Sequence, residues 1–176
     1  MAKIDLSNIS HSYNPNDPNP VYALNPFSMT WENGNRYAIL GPSGCGKTTM
    51  LNIVSGLVRP SAGKILFDDK DVTDLKTEER NIAQVFQFPV IYNTMTVFEN
   101  LAFPLKCRDF PKAKIDERVN SVAETLNLKS FLNSPARKLT ADQKQLISLG
   151  RGLVREDVAA VLMDEPLTVI DPDLKF

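Results

Sequence analysis

Cysteine is scarce in this chain of 176 residues, occurring only at Cys45 and Cys107. A disulfide framework is therefore excluded, and because Cys45 sits in a glycine-rich loop that a disulfide would obstruct, a reduced compartment is the simpler setting. No charge of one sign prevails: 20 Lys and Arg face 21 Asp and Glu, which gives no basic surplus to suggest nucleic acid as the main partner. Long apolar runs are missing as well. Met1-Ala2-Lys3-Ile4-Asp5 opens without an apolar signal core, and the run Val158–Met163 is far too short to cross a bilayer. The expectation is a cytoplasmic protein unless a membrane partner holds it. Neither an internal repeat nor a low-complexity tract appears. Hydrophobic residues make up 43%, and the length suits one domain with a substantial core rather than two.

What is present centres on Gly41-Pro42-Ser43-Gly44-Cys45-Gly46-Lys47-Thr48, which matches G-x-x-x-x-G-K-[ST]. Glycines at 41, 44 and 46 let the backbone curl so that successive N–H groups face phosphate oxygens. The helix that follows adds its positive end. Lys47 is placed to reach the β- and γ-phosphates, and the Thr48 hydroxyl to ligate Mg²⁺. Tyr37–Leu40 reads as an apolar strand feeding this loop, and Thr48–Val54 as the helix leaving it.

Taken in order, Lys3–Ile9 alternates and predicts an edge strand, and residues 14–20 are loop by composition. Phe27, Met29 and Trp31 alternate with Ser28 and Thr30, after which Asn33-Gly34 predicts a hairpin into Arg36–Leu40. Gly63–Asp68 and Ile82–Gln87 are further strands. Thr96-Val97-Phe98-Glu99 has the capping-box form at the head of a helix. Pro111 precedes the helical stripe Ile115, Val119, Val122 and Leu126, and Leu146, Leu149 and Leu153 form another. Gly150 and Gly152 interrupt that last helix, which suggests close packing. Val158–Met163 reads as a central parallel strand covered on both faces.

That strand ends in Asp164-Glu165. Downstream of a phosphate loop, Asp164 is suited to hold Mg²⁺ opposite Thr48, and Glu165 to polarise an attacking water in line with the γ-phosphate.

The phosphate loop, Gln87 at a strand end, Leu139-Thr140-Ala141-Asp142-Gln143 opening a helix, Asp164-Glu165 and Ile170-Asp171 occur in an order that resembles an ABC-transporter ATP-binding subunit over essentially the whole chain. The resemblance implies an α/β P-loop NTPase: a RecA-like core with an antiparallel β subdomain (1–88 and 156–176) and a helical subdomain (89–155). It implies ATP and Mg²⁺ as ligands, with Tyr13 stacked on the adenine and Gly41 through Thr49 around the phosphates, Pro42, Ser43, Cys45 and Thr49 included. Thr48, Gln87 and Asp164 would serve the metal; Glu165, Lys47 and Gln87 would serve catalysis. Two subunits would pair head to tail, with Thr140, Ala141, Asp142, Gln143 and Asp171 touching the partner. Residues 75–80 and 92–99 fall where the family receives a membrane subunit's coupling helix.

The chain departs from the family in two places. In the usual L-S-G-G-Q, Thr140 replaces Ser, and Ala141 and Asp142 replace both glycines, which puts a carboxylate near the partner's phosphate. This variant looks like that of ATPases from glycerol importers related to the sugar-importer class, which pair two different ATPase subunits, and it implies an asymmetric heterodimer. The sequence also stops at Phe176, ahead of the family's switch histidine, the one histidine being His11. A fragment of a longer reading frame is the expected explanation; a short protein that binds nucleotide without hydrolysing it is the alternative. The expected role is the ATP-hydrolysing subunit of a carbohydrate or polyol importer at the cytoplasmic face of the membrane, working with permease subunits and, indirectly, a substrate-binding protein. A soluble non-transport ABC ATPase and a small-molecule kinase are the rivals.

Overall fold

The computed structural model describes residues 1–168; Ile170 and Asp171 lie outside the described residues. The chain divides into two compact units, Met1–Ile82 with Asp157–Leu162, and Ala83–Glu156 with Met163–Phe176.

In the first unit, strands β1 (Ile4–Ser12), β2 (Tyr22–Trp31), β3 (Ala62–Phe67) and β4 (Lys70–Asp71) make an antiparallel sheet in the order β2-β1-β3-β4. β1 is therefore not the edge strand its sequence predicts. It pairs on both sides, with Ile4 opposite Trp31 in β2 and opposite Phe67 in β3. Alternation along a strand reports which face is buried, not how many neighbours the strand has, so the sequence is silent on this point. β2 takes an outer position, the place in a sheet where a proline such as Pro26 is tolerated.

The hairpin expected across Asn33-Gly34 does not form. β2 pairs with β1 instead, and residues 36–40 are not in a strand, with Leu40 90% exposed. An apolar run becomes a strand only where a neighbour takes its backbone hydrogen bonds, and among the described residues none does so for 36–40. Helix α1 (Lys47–Ser55) packs Met50, Leu51, Ile53 and Val54 into the core with Ile4, Leu6, Ile9, Ile65 and Leu162. Its last turn is held by Arg80, 3% exposed, whose guanidinium donates to the carbonyls of Ile53 (2.8 Å), Val54 (3.1 Å), Thr73 (2.8 Å) and Leu75 (3.1 Å). Burial lowers the Arg80 pKa, yet a cation suits the negative end of a helix.

The second unit is largely helical: α2 (Val97–Lys106), α3 (Lys112–Thr125) and α4 (Ala141–Leu153). The capping box read in the sequence is present. Thr96 Oγ1 accepts from the Glu99 N–H at 3.1 Å, and Glu99 accepts from the Thr96 N–H at 2.8 Å. Val97, Leu101 and Leu105 of α2 meet Ile115, Val119 and Val122 of α3 and Ile147 of α4 in one core. On α4, however, Leu146, Leu149 and Leu153 are only half-buried, and the fully buried positions are Gln145, Ile147, Ser148, Gly150 and Gly152. The glycines explain the rotation. A Cβ on Gly150 would lie 2.6 Å from Leu101 Cδ2, and one on Gly152 2.8 Å from Val85 Cγ2, so α4 approaches its neighbours along its small-residue face.

Strands β5 (Ile82–Val85) and β6 (Ala160–Met163) form a separate two-stranded sheet. Its ends are tied by the Ala159 N–H to Asn81 O and by the Asp164 N–H to Val85 O. The expectation of a strand covered on both faces fails, because Ala160 and Val161 are half-buried and Met163 is 40% exposed. A strand is enclosed on both faces only when layers lie above and below its sheet, a long-range condition that an apolar run cannot supply.

Candidate nucleotide site

The phosphate loop belongs to the first unit. Gly44 and Gly46 adopt φ of 80° and 94°, and a Cβ at Gly46 would sit 2.5 Å from Ala23 O and 2.6 Å from Leu24 Cδ2. Glycine is thus required twice at Gly46, for its left-handed backbone and for its closeness to β2. Gly46 stands at the head of α1, where its carbonyl accepts from the Met50 N–H at 2.8 Å. No acidic side chain lies in the first turn of α1, so its positive end is not offset from within the helix. Lys47 Nζ donates to Gly41 O at 3.0 Å and Pro42 O at 3.1 Å, which holds the ammonium over the loop's entry. Ser43 and Cys45 are on the exposed part of the loop, with Cys45 N–H closing a turn onto Pro42 O.

Tyr13 lies just beyond the end of β1, 62% exposed. Its hydroxyl is 3.1 Å from Thr49 Oγ1, and its ring meets His11 edge-on at 4.6 Å between centroids. His11 is buried, with Nδ1 3.4 Å from Ser61 Oγ. The family resemblance assigns both Tyr13 and Thr49 to the nucleotide, and nothing in the sequence signals that they hold each other.

The acidic pair belongs to the second unit. Asp164 is buried at 7% exposure, and Glu165 is exposed with φ 45°. A left-handed backbone at a residue with a Cβ costs about 1–2 kcal/mol, a cost that such sites carry when the side chain must be aimed. Glu165 Oε2 accepts from Gln87 Nε2 at 3.5 Å and from Thr168 Oγ1 at 3.4 Å. The structure therefore brings together Gln87 and Glu165, which stand 78 residues apart in the chain. Among the described residues no group of three or more His, Cys, Asp and Glu side chains gathers to hold a metal. The expected Mg²⁺ set of Thr48, Gln87 and Asp164 contains one carboxylate, so it does not call for such a group.

The signature segment opens α4. Thr140 Oγ1 accepts from the Gln143 N–H at 3.3 Å, and Gln143 Oε1 accepts from the Thr140 N–H at 3.1 Å, a second capping box. Ala141 is exposed and Asp142 lies in the first turn, where the helix's own N–H groups favour a carboxylate. Tyr92, 40% exposed, carries Arg151 over its ring at 4.6 Å, and Arg151 also donates to Val90 O at 2.6 Å. No helix of the described residues is long and apolar enough to cross a membrane.

The family model described as "ABC transporter" matches residues 24–168. The chain is 41% identical over 175 residues to the sn-glycerol-3-phosphate import ATP-binding protein of Bordetella avium, covering 99% of this chain and 47% of that protein. It is 44% identical over 161 residues to the trehalose/maltose import ATP-binding protein of Thermococcus litoralis, covering 88% and 43%. The chain thus spans about half the length of the curated relatives it matches. Among solved structures, a dimeric ATP-binding cassette in a post-hydrolysis state bound to ADP and Pi superposes with a TM-score of 0.84 at 26% identity, covering 97% of this chain and 77% of that one. A nucleotide-free cassette from an ABC transporter gives 0.77 at 26% identity, covering 99% and 73%.

Proposed function

Since this chain belongs to the ABC transporter family, whose ATP-binding domain is its fold, we propose that it binds and hydrolyses ATP to energise an importer for a carbohydrate or polyol such as glycerol. The observation that carries this reading is the pair formed by Gln87 and Glu165. A carboxylate is held in a strained backbone and given an amide donor, an arrangement that fixes the direction of a group placed to act on a water molecule.

The residues divide the work by their chemistry. The Gly41–Thr48 loop and the start of α1 would receive the triphosphate, Lys47 would balance its charge, and Tyr13 would stack on the base. Thr48, Gln87 and Asp164 offer hydroxyl, amide and carboxylate oxygens, the hard donors that Mg²⁺ takes, and the ion when bound would neutralise charge on the phosphate oxygens. Glu165 would accept a proton from water as its oxygen bonds to the γ-phosphorus and the bond to the ADP oxygen breaks. Lys47 would stabilise the negative charge that moves onto the leaving oxygen.

The relatives' names point to import, and on that reading the chain works at the cytoplasmic face of the membrane beneath permease subunits, with a substrate-binding protein outside. A second ATPase subunit is the expected partner, reached through Thr140, Ala141, Asp142, Gln143 and Asp171. Asp142 motivates a heterodimer in which the site completed by this chain's α4 turns over slowly. The test is ATP hydrolysis by the full-length chain in its assembled transporter. Glu165→Gln should keep ATP binding and lower turnover at least 100-fold, while Ala141→Gly with Asp142→Gly should raise turnover at the second site. Unchanged turnover in Glu165→Gln would overturn the hydrolytic reading.

A further inference from the structure

Gln145 of α4 is fully buried, and its amide nitrogen donates to Phe86 O at 3.1 Å and to Pro166 O at 2.9 Å. Phe86 immediately precedes Gln87, and Pro166 immediately follows Glu165. A primary amide carries two hydrogens, so each is spent on one of the two backbone segments that present the pair. Two carbonyl acceptors also fix which way round the amide lies, since its oxygen would repel both.

Packing alone does not account for this residue. Among the described residues Gln145 Oε1 is buried without a hydrogen-bond partner, a deficit that an apolar side chain of the same length would avoid. What an apolar side chain cannot do is join the two segments. The helix that carries Gln145 is itself seated firmly, because Gly150 and Gly152 bring α4 against Leu101 and Val85 with no room for a Cβ. The same helix begins, five residues before Gln145, at the Thr140 cap of the signature segment.

We infer that Gln145 is a positioning residue that clamps the Gln87 and Glu165 segments to α4, so that a shift of the signature end of this helix is passed to the water-activating carboxylate through one amide. The inference rests on the hydrolytic reading proposed above. Misplacing a reacting group by about 1 Å costs on the order of 100-fold in rate, and the hydrogen bonds of the Gln145 amide go to the Gln87 and Glu165 segments. Its loss should therefore separate turnover from binding.

The test uses Gln145→Met, which keeps volume and removes both donors, and Gln145→Glu, which keeps length and presents oxygens to the two carbonyls. Both are made in the full-length chain and read in two ways. In ATP hydrolysis, kcat should fall about 10- to 100-fold while the affinity for a fluorescent ATP analogue stays within twofold of wild type. In hydrogen–deuterium exchange, amides in 86–88 and 165–168 should exchange at least tenfold faster, with 41–49 unchanged. Wild-type kcat in either variant, or affinity lost in parallel with kcat, would overturn the inference; so would faster exchange spread over all of α4, which would mark a structural role only. If one variant does not fold, the other and its exchange pattern decide. Failure of the hydrolytic reading is separately visible, as wild-type turnover in Glu165→Gln.

Discussion

The hydroxyl of Tyr13 and Oγ1 of Thr49 lie 3.1 Å apart, joining the end of β1 to the first turn of the phosphate-loop helix. An exposed ring is thereby given a fixed orientation beside the loop, which is what stacking on a flat base requires. Tyr13→Phe removes the tether and keeps the ring. The expected result is a two- to threefold weaker affinity for a fluorescent ATP analogue, against about tenfold for Tyr13→Ala, since an aromatic pair contributes about 0.5–1.5 kcal/mol beyond its buried area. Equal affinities in all three proteins would count against the stacking role.

Gly46→Ala introduces a Cβ where the backbone is left-handed and where Ala23 O would lie 2.5 Å away. The loop must then move off β2. Calorimetric titration should show the loss of ATP binding, with the midpoint of thermal unfolding lowered in the same protein; retention of wild-type affinity would contradict the fit of this loop to a phosphate chain.

Arg80→Leu removes the guanidinium donor from the carbonyls of Ile53, Val54, Thr73 and Leu75, of which Ile53 keeps the Gly56 N–H at 3.2 Å. Each unmet buried acceptor costs about 1–3 kcal/mol, partly relieved by water and by the removal of a buried charge. A net loss of about 3 kcal/mol in urea unfolding is expected. Arg80→Lys, with fewer donors in a different geometry, should recover only part of it.

Glu99 is held below the ordinary glutamate range by the hydrogen bond from the Thr96 backbone N–H and then by that from its hydroxyl. A carboxyl whose folded pKa is depressed adds stability that is complete above its unfolded pKa and disappears as the pH falls through the folded one. Acid titration of helix content, followed by circular dichroism, should therefore show α2 weakening below the usual glutamate pKa, and Glu99→Gln should flatten that dependence. Thr96→Ala should cost about 1 kcal/mol at neutral pH.

Signals that act within one turn or one loop were legible in the residues. The G-x-x-x-x-G-K-[ST] spacing, the Thr96 capping box and the stripe of α3 depend on neighbours three to five positions away, and each lies where the sequence puts it, except that Leu126 of the stripe falls at the C-cap of α3 and Ala123 is buried beside Val122. The capping box of Thr140 and Gln143 was equally local and could have been read from T-x-x-Q. The clamp of Gln145 was not readable, because its acceptors stand 59 and 21 residues away and a glutamine on a helix is ordinarily a solvated residue.

By itself, then, the sequence determined the loop that suits a triphosphate, the helices and their caps, and which residue types could serve the chemistry, since each follows from steric or hydrogen-bonding preferences of adjacent residues. Only the tertiary structure decided that β1 lies between two strands, that residues 36–40 stay out of the sheet, that α4 buries its glycines in place of its leucines, and that Gln87 meets Glu165. Those outcomes depend on which distant segment supplies a backbone partner or a space, and no local pattern in a chain encodes the identity of its distant neighbour.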